Sequence, residues 1–262
     1  MKVGIMGAME QEIARIKQQM LRVTKITKGG RTYYQGDLHG VEVVLVFSRW
    51  GKVAASSTAT LLINLFKIDF LLFTGVAGAV ARDLNIGDIV IGTSLYQHDV
   101  DARPFFPRFE IPFLKKHIFQ PQEIHTSKLH TACNIFLNDL PQYINAPLLK
   151  NFLITQPKVY LGAIASGDQF ISDNTQDSLR LDEGAPVLAV EMEGAAVAQI
   201  CEEYIIPYAV VRVISDVADH SAHIDFVAFI EEIASLYSAG IVANFMTMFI
   251  EVTQAEEVAS ES

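Results

Sequence analysis

Short apolar runs recur along this chain at Lys2–Met6, Val41–Phe47, Phe70–Thr74, Asp88–Tyr96, Val159–Ala165, Val187–Val190 and Tyr208–Ile214. Helical patterns separate several of them, at Glu10–Met20, Val53–Phe66, Ser127–Leu140 and Gly194–Tyr204. An apolar run without polar alternation belongs inside a sheet covered on both faces, and interleaved helices supply the cover. The chain is thereby limited to an α/β fold with a parallel or mixed sheet. Its 262 residues, half of them hydrophobic, suit one large domain over residues 1–250. The polar end "TQAEEVASES" is expected to fray, so 251–262 is set aside as a disordered tail.

Charge and cysteine usage narrow the function. A formal net charge of −10 argues against nucleic acid, which demands clustered Lys and Arg. Cys133 and Cys201 are too few for a disulfide framework and are not spaced for zinc. The seven histidines show no H-E-x-x-H spacing, and His220 and His223 read as surface residues, so neither metal nor cofactor is expected. The N-terminus lacks the pattern of a signal peptide. The apolar stretch "AGIVANFMTMFI" is too short to span a bilayer and reads as the buried end of a helix starting near Phe226. A cytoplasmic protein without a membrane partner is expected.

In open α/β sheets, ligands bind at the carboxyl ends of the strands. Those ends here carry "GAMEQE", "SRWGK", "TGVAG", "SGDQFIS", "EMEG" and "ISDVAD". "GIMGAMEQE" is not a dinucleotide fingerprint, since its glycines are three apart, and it also reads as a plain strand-to-helix turn. "TGVAGAV" reads equally as a turn or an anion-binding loop, but it lacks the Lys and Ser/Thr of a P-loop. Phe170 could stack on a flat base or be ordinary core, and Asp216 could simply cap a helix. No G-x-S-x-G elbow supports a Ser-His-Asp triad. The sharpest question is "EMEG", where Glu191 and Glu193 follow a strand that reads as fully buried. A charge removed from water costs several kcal/mol unless something satisfies it.

The ordered motifs "GAMEQE", "TGVAGAV", "IGDIVIG", "QHDVDA", "IASGDQFI", "AVEMEGAAVAQIC" and "VVRVISDVAD" resemble the 5′-methylthioadenosine/S-adenosylhomocysteine nucleosidases of the nucleoside phosphorylase superfamily. The resemblance runs from Met1 to about Ile250 and implies a three-layer fold with a mixed central sheet. It implies hydrolysis of an N-glycosidic bond, releasing adenine and a 5′-thio-substituted ribose in methionine salvage and S-adenosylmethionine recycling. A purine nucleoside phosphorylase and a catalytically silent nucleoside sensor are the alternatives.

The resemblance also implies roles. Glu12 would activate the attacking water, and Asp216, oriented by Ser215, would protonate adenine at N7. Glu193 would hold the ribose hydroxyls beside Met192, which answers the question posed by its burial. Phe170 would stack on the base, the backbone of Ile171 would read its edge, and Arg212 would lie near the water. Met9, Val76, Gly78, Trp50 and Phe226 would complete the pocket. Position 76 is Val where many members of the family carry Ser. Glu191 receives no role beyond a structural hydrogen bond. Two carboxyl groups kept in opposite states are the pattern of inverting glycosidases, with Asp216 held protonated and Glu12 ionised.

One segment fits neither helix nor linker. "VDARPFFPRFEIPFLKKHIFQPQ", Val100 to Gln122, has four prolines and five phenylalanines. So long a loop in a compact domain is usually functional. The resemblance implies a homodimer in which this loop closes the partner's pocket, with Phe105 as the aromatic that reaches it.

Overall fold

The computed structural model describes residues 1–171, 186–216 and 222–260, the side chains of 222–225 and 250–260 excepted. The first half runs β1 (Lys2–Gly7), α1 (Glu10–Gln19), β2 (Leu21–Lys28), β3 (Arg31–Leu38), β4 (Val41–Phe47), α2 (Lys52–Asn64), β5 (Phe70–Ala79) and β6 (Ile89–Gln97). The second runs α3 (Glu123–Asn138), α4 (Leu140–Tyr143), α5 (Ala146–Asn151), β7 (Val159–Ser166), β8 (Val187–Glu191), α6 (Gly194–Glu203), β9 (Tyr208–Asp216) and α7 (Ala222–Phe229). A π-helical turn, Ile230–Ala234, joins α7 to α8 (Ser235–Ser260). The helical backbone thus continues through 251–260, the stretch that reads from sequence as a frayed tail.

The nine strands form one mixed sheet in the order β2-β3-β4-β1-β5-β8-β7-β6-β9. A further pairing of β9 with β5 closes the last five strands into a ring. Side chains alternate across each strand, so Val3 and Ile5 of β1 join one apolar layer while Met6 joins the other. The first layer is covered by α1, α3 and α8 through Ile13, Ile16, Leu129, Phe136, Ile241 and Phe245. The second is covered by α2 and α6 through Ala55, Ala59, Leu62, Ala195 and Val197. Helix, sheet and helix make the three layers.

The structure corrects three expectations. The hairpin of β2 and β3 has no apolar run to announce it, because every residue of β2 is exposed. "TGVAGA" is not a turn after a strand, since Thr74–Ala79 continue β5. The helix Phe226–Phe249 is long and apolar enough to cross a membrane, so length does not exclude a span. Its apolarity is accounted for by burial of Ile230, Ile233, Tyr237, Ile241 and Phe245 in the core.

The Val100–Gln122 segment forms no helix or strand, yet it is tied down. Isolated bridges join Leu95 to Phe119 and Ile111 to Lys116. Glu202 of α6 accepts from the Lys116 ammonium, the Gln120 N–H and the Tyr208 hydroxyl. Phe105 and Phe113 within it are 86 % and 88 % exposed.

Candidate active site

Glu12 stands three residues into α1, where a carboxylate can turn back to the helix start. Its Oε2 accepts the Met9 N–H at 2.8 Å and its Oε1 the Val76 N–H of β5 at 3.1 Å. The approach is that close because residue 75 is glycine: a Cβ there would meet Glu12 Oε1 at 2.9 Å. Burial raises the Glu12 carboxyl to about 7, against the opposing pull of Arg212 and the N–H groups of Met9, Val76 and Ala8. The sequence reading takes Glu12 as simply ionised. It is instead balanced near neutrality, where a general base works best. Glu10, the other acid of the motif, is exposed.

The two acids of "EMEG" separate in role. Glu191 ends β8 and is buried with Arg212, whose Nη2 donates to Oε2 at 2.6 Å and Nε at 3.2 Å. Glu191 also accepts from the Ser166 hydroxyl and from the N–H groups of Glu193 and Gly194. Arg212 lies over the Phe73 ring at 4.0 Å and donates to the Phe73 carbonyl. It does not line the cleft, contrary to expectation. Glu193 faces the cleft and accepts the Gly51 N–H at 2.8 Å. Gly51, with φ of 89°, adopts the left-handed backbone that glycine favours and aims this N–H off the start of α2. Burial, and then the Glu191 carboxylate, push the Glu193 carboxyl upward.

Asp216 is buried at the end of β9, where its Oδ2 accepts the Ser215 hydroxyl at 2.8 Å. An aromatic cluster forms another side of the site. Phe226 lies edge-on to both Trp50 and Phe170, at 5.9 and 5.5 Å between ring centres.

Glu12, both acids of "EMEG", Asp216 and the aromatic cluster meet in one cleft. It is lined by Glu12, Met9, Trp50, Val76, Gly78, Phe170, Ile171, Met192, Glu193, Ser215, Asp216 and Phe226, all singled out from sequence. Ala8, Ala77, Gln169, Val190 and Glu191 also line it. Phe105 and Arg212 do not. Ser166, which bridges Glu191 and the Ala195 N–H, carries no sequence signal beyond its place at a strand end. Among the described residues, no group of three His, Cys, Asp or Glu could hold a metal. His220 and the side chain of His223 lie outside the described residues.

Residues 2–247 match the phosphorylase superfamily. The 5′-methylthioadenosine/S-adenosylhomocysteine nucleosidase of Aeromonas salmonicida is 39 % identical over 246 residues, 94 % of this chain and 99 % of its own. The same nucleosidase of S. pneumoniae, solved with the transition-state inhibitor MT-ImmA, is 33 % identical with a TM-score of 0.78. The match covers 94 % of this chain and 98 % of that one. The futalosine hydrolase of Helicobacter pylori is 32 % identical with a TM-score of 0.79, covering 94 % and 97 %. By sequence and by fold alike, this chain belongs to the 5′-methylthioadenosine/S-adenosylhomocysteine nucleosidase family of the phosphorylase superfamily.

Proposed function

We infer that this chain hydrolyses the N-glycosidic bond of 5′-methylthioadenosine and S-adenosylhomocysteine, releasing adenine. The observation that carries the reading is a cleft lined by carboxyl groups and by no cation. Glu12, Glu191, Glu193 and Asp216 line it, and no Lys or Arg does among the described lining residues. Breaking the bond leaves positive charge on the sugar, which the ionised form of Glu12 favours. A phosphate dianion would lose its water there without a cation to receive it, at a cost of several kcal/mol. Phosphorolysis is therefore disfavoured.

In the reaction, water adds to C1′ and gives its proton to Glu12. The bonding electron pair leaves with adenine, and Asp216, held by Ser215, donates a proton to N7. Glu193 and Met192 hold the ribose, while Phe170 and the Ile171 backbone hold the base. Trp50, Val76 and Phe226 give the 5′-substituent an apolar seat. A thioether gains roughly 0.8 kcal/mol for each methylene buried in such a seat.

The chain acts as a homodimer in the cytoplasm on this reading. The exposed Phe105 and Phe113, on a loop held firmly at its base, are the surface a partner would cover. Cys133 and Cys201 are both free and buried, which suits a reducing compartment.

The test is adenine release from methylthioadenosine, adenosylhomocysteine, futalosine and adenosine 5′-monophosphate, with and without inorganic phosphate. Phosphate-independent release, fastest with the thioethers and nearly absent with the monophosphate, is expected. Ribose 1-phosphate as product, or tight nucleoside binding without adenine release, would replace the reading with a phosphorylase or a sensor.

A further inference from the structure

Two loops that wall the cleft, after β4 and β7, are joined through the loop after β6 into a closed ring of hydrogen bonds, apart from the reacting groups. Lys52, the first residue of α2, donates its backbone N–H to Asp168 Oδ1 at 2.8 Å. Asp168 donates its own N–H to Asp99 Oδ2 at 2.9 Å. The Lys52 ammonium closes the ring, donating to Asp99 Oδ1 at 2.6 Å and to Gln97 Oε1 at 3.0 Å. These residues follow β4, β6 and β7, elements not adjacent in sequence.

The ring sits beside the aromatic side of the cleft. Trp50 stands two residues before Lys52, and Phe170 two residues after Asp168. Both line the cleft, and Phe226 touches each edge-on. The Lys52 and Asp99 side chains are only 17 % and 19 % exposed. Burial alone would raise the Asp99 carboxyl, but the Lys52 ammonium and the Asp168 N–H outweigh it and hold the group below the usual range. An isolated surface ion pair contributes little to stability. Here the pair spans separate loops, and its geometric effect is to fix their spacing.

We propose that the Lys52–Asp99–Asp168 ring is a positioning device that sets the gap between Trp50 and Phe170 and thereby the grip on the ligand. The ligand follows from the nucleosidase reading, but the ring's effect on Trp50 does not depend on it.

Trp50 is the only tryptophan in the chain, so its fluorescence reports this wall directly. In Lys52→Met and Asp99→Asn, its emission should move to longer wavelength and its quenching by acrylamide should rise. KM for methylthioadenosine should increase about tenfold, equivalent to one charge-assisted hydrogen bond, with kcat within about threefold of the parent. Lys52→Arg keeps the cation and its donors and should restore both emission and KM. Unchanged emission and unchanged KM in a folded variant would overturn the proposal. So would a lowered kcat at constant KM accompanied only by a lower Tm, the result of a purely structural role. If Lys52→Met fails to fold, the near-isosteric Asp99→Asn interrogates the same ring. Should the parent release no adenine, the nucleosidase reading falls, while Trp50 emission still decides the ring.

Discussion

Arg212, behind the cleft wall, and Glu191, within it, form a buried ion pair, 2.6 Å between Nη2 and Oε2, with both side chains almost wholly out of water. Arg212 also faces Glu12 electrically and is the strongest influence lowering its carboxyl. One guanidinium therefore supports the wall and draws the Glu12 carboxyl down.

Arg212→Met should strand the Glu191 carboxylate and cost about 3–5 kcal/mol in urea denaturation. The double variant with Glu191→Gln should recover part of that loss, because the stranded charge is gone. In whatever folds, the acid limb of kcat/KM should move to higher pH, since Glu12 has lost its neighbouring cation. An unchanged limb would separate Arg212 from the base.

Glu12 should set that limb. As a base it must be ionised, so kcat/KM should fall as pH drops through about 7. Stability should respond in the opposite direction. With a folded value of about 7 against the ordinary 4.5, its contribution is fully present below about 4.5 and is lost as pH rises through 7. Glu12→Gln should thus gain stability over the parent between pH 5 and 8, on the order of 3 kcal/mol at about 1.4 per unit. The variant should turn over no substrate at any pH. Activity retained in Glu12→Gln but lost in Glu10→Gln would assign the base to Glu10 instead.

Asp216→Asn should abolish adenine release while analogue binding, measured by calorimetry, stays close to the parent. The amide keeps the shape and can still meet Ser215, but it has no acidic proton to deliver. A general acid contributes roughly 10²–10⁴-fold, so turnover within about tenfold of the parent would remove Asp216 from that role.

Glu193→Gln should lose discrimination between ribose and 2′-deoxyribose substrates. A hydrogen bond to the hydroxyl is worth about 0.5–1.5 kcal/mol to a neutral carboxyl and about 1.5–3 to an ionised one, and the deoxy substrate never made it. Equal losses for both substrates would show that Glu193 does not read the diol.

Much of this architecture was legible because burial leaves a compositional trace. β4 spans Val41–Phe47 as its apolar run indicates, and β1, β7 and β8 extend by one residue beyond theirs. β2 and β3 left no such trace, since an edge hairpin with one exposed strand needs no apolar run. The only signal was Gly29-Gly30 between strand-forming residues, the mark of a tight hairpin turn. The cleft residues were legible through resemblance to a family. The placement of Arg212 was not, because an arginine inside an apolar strand reveals nothing of the partner it turns toward. Nor was the Lys52–Asp99–Asp168 ring, whose members come together only when loops far apart in sequence meet in space.

Position 76 shows what anchoring by the main chain permits. Glu12 is held there by an amide N–H, a group every residue but proline possesses, so the identity of the side chain is irrelevant to that bond. Glu193 is likewise held by a main-chain amide, that of Gly51, whose positive φ does favour glycine. Both carboxyl groups are thus moored to main-chain amides rather than to side chains. The Val76 side chain is therefore a free choice about the cleft's polarity. Evolution can retune what the pocket admits without loosening what it does.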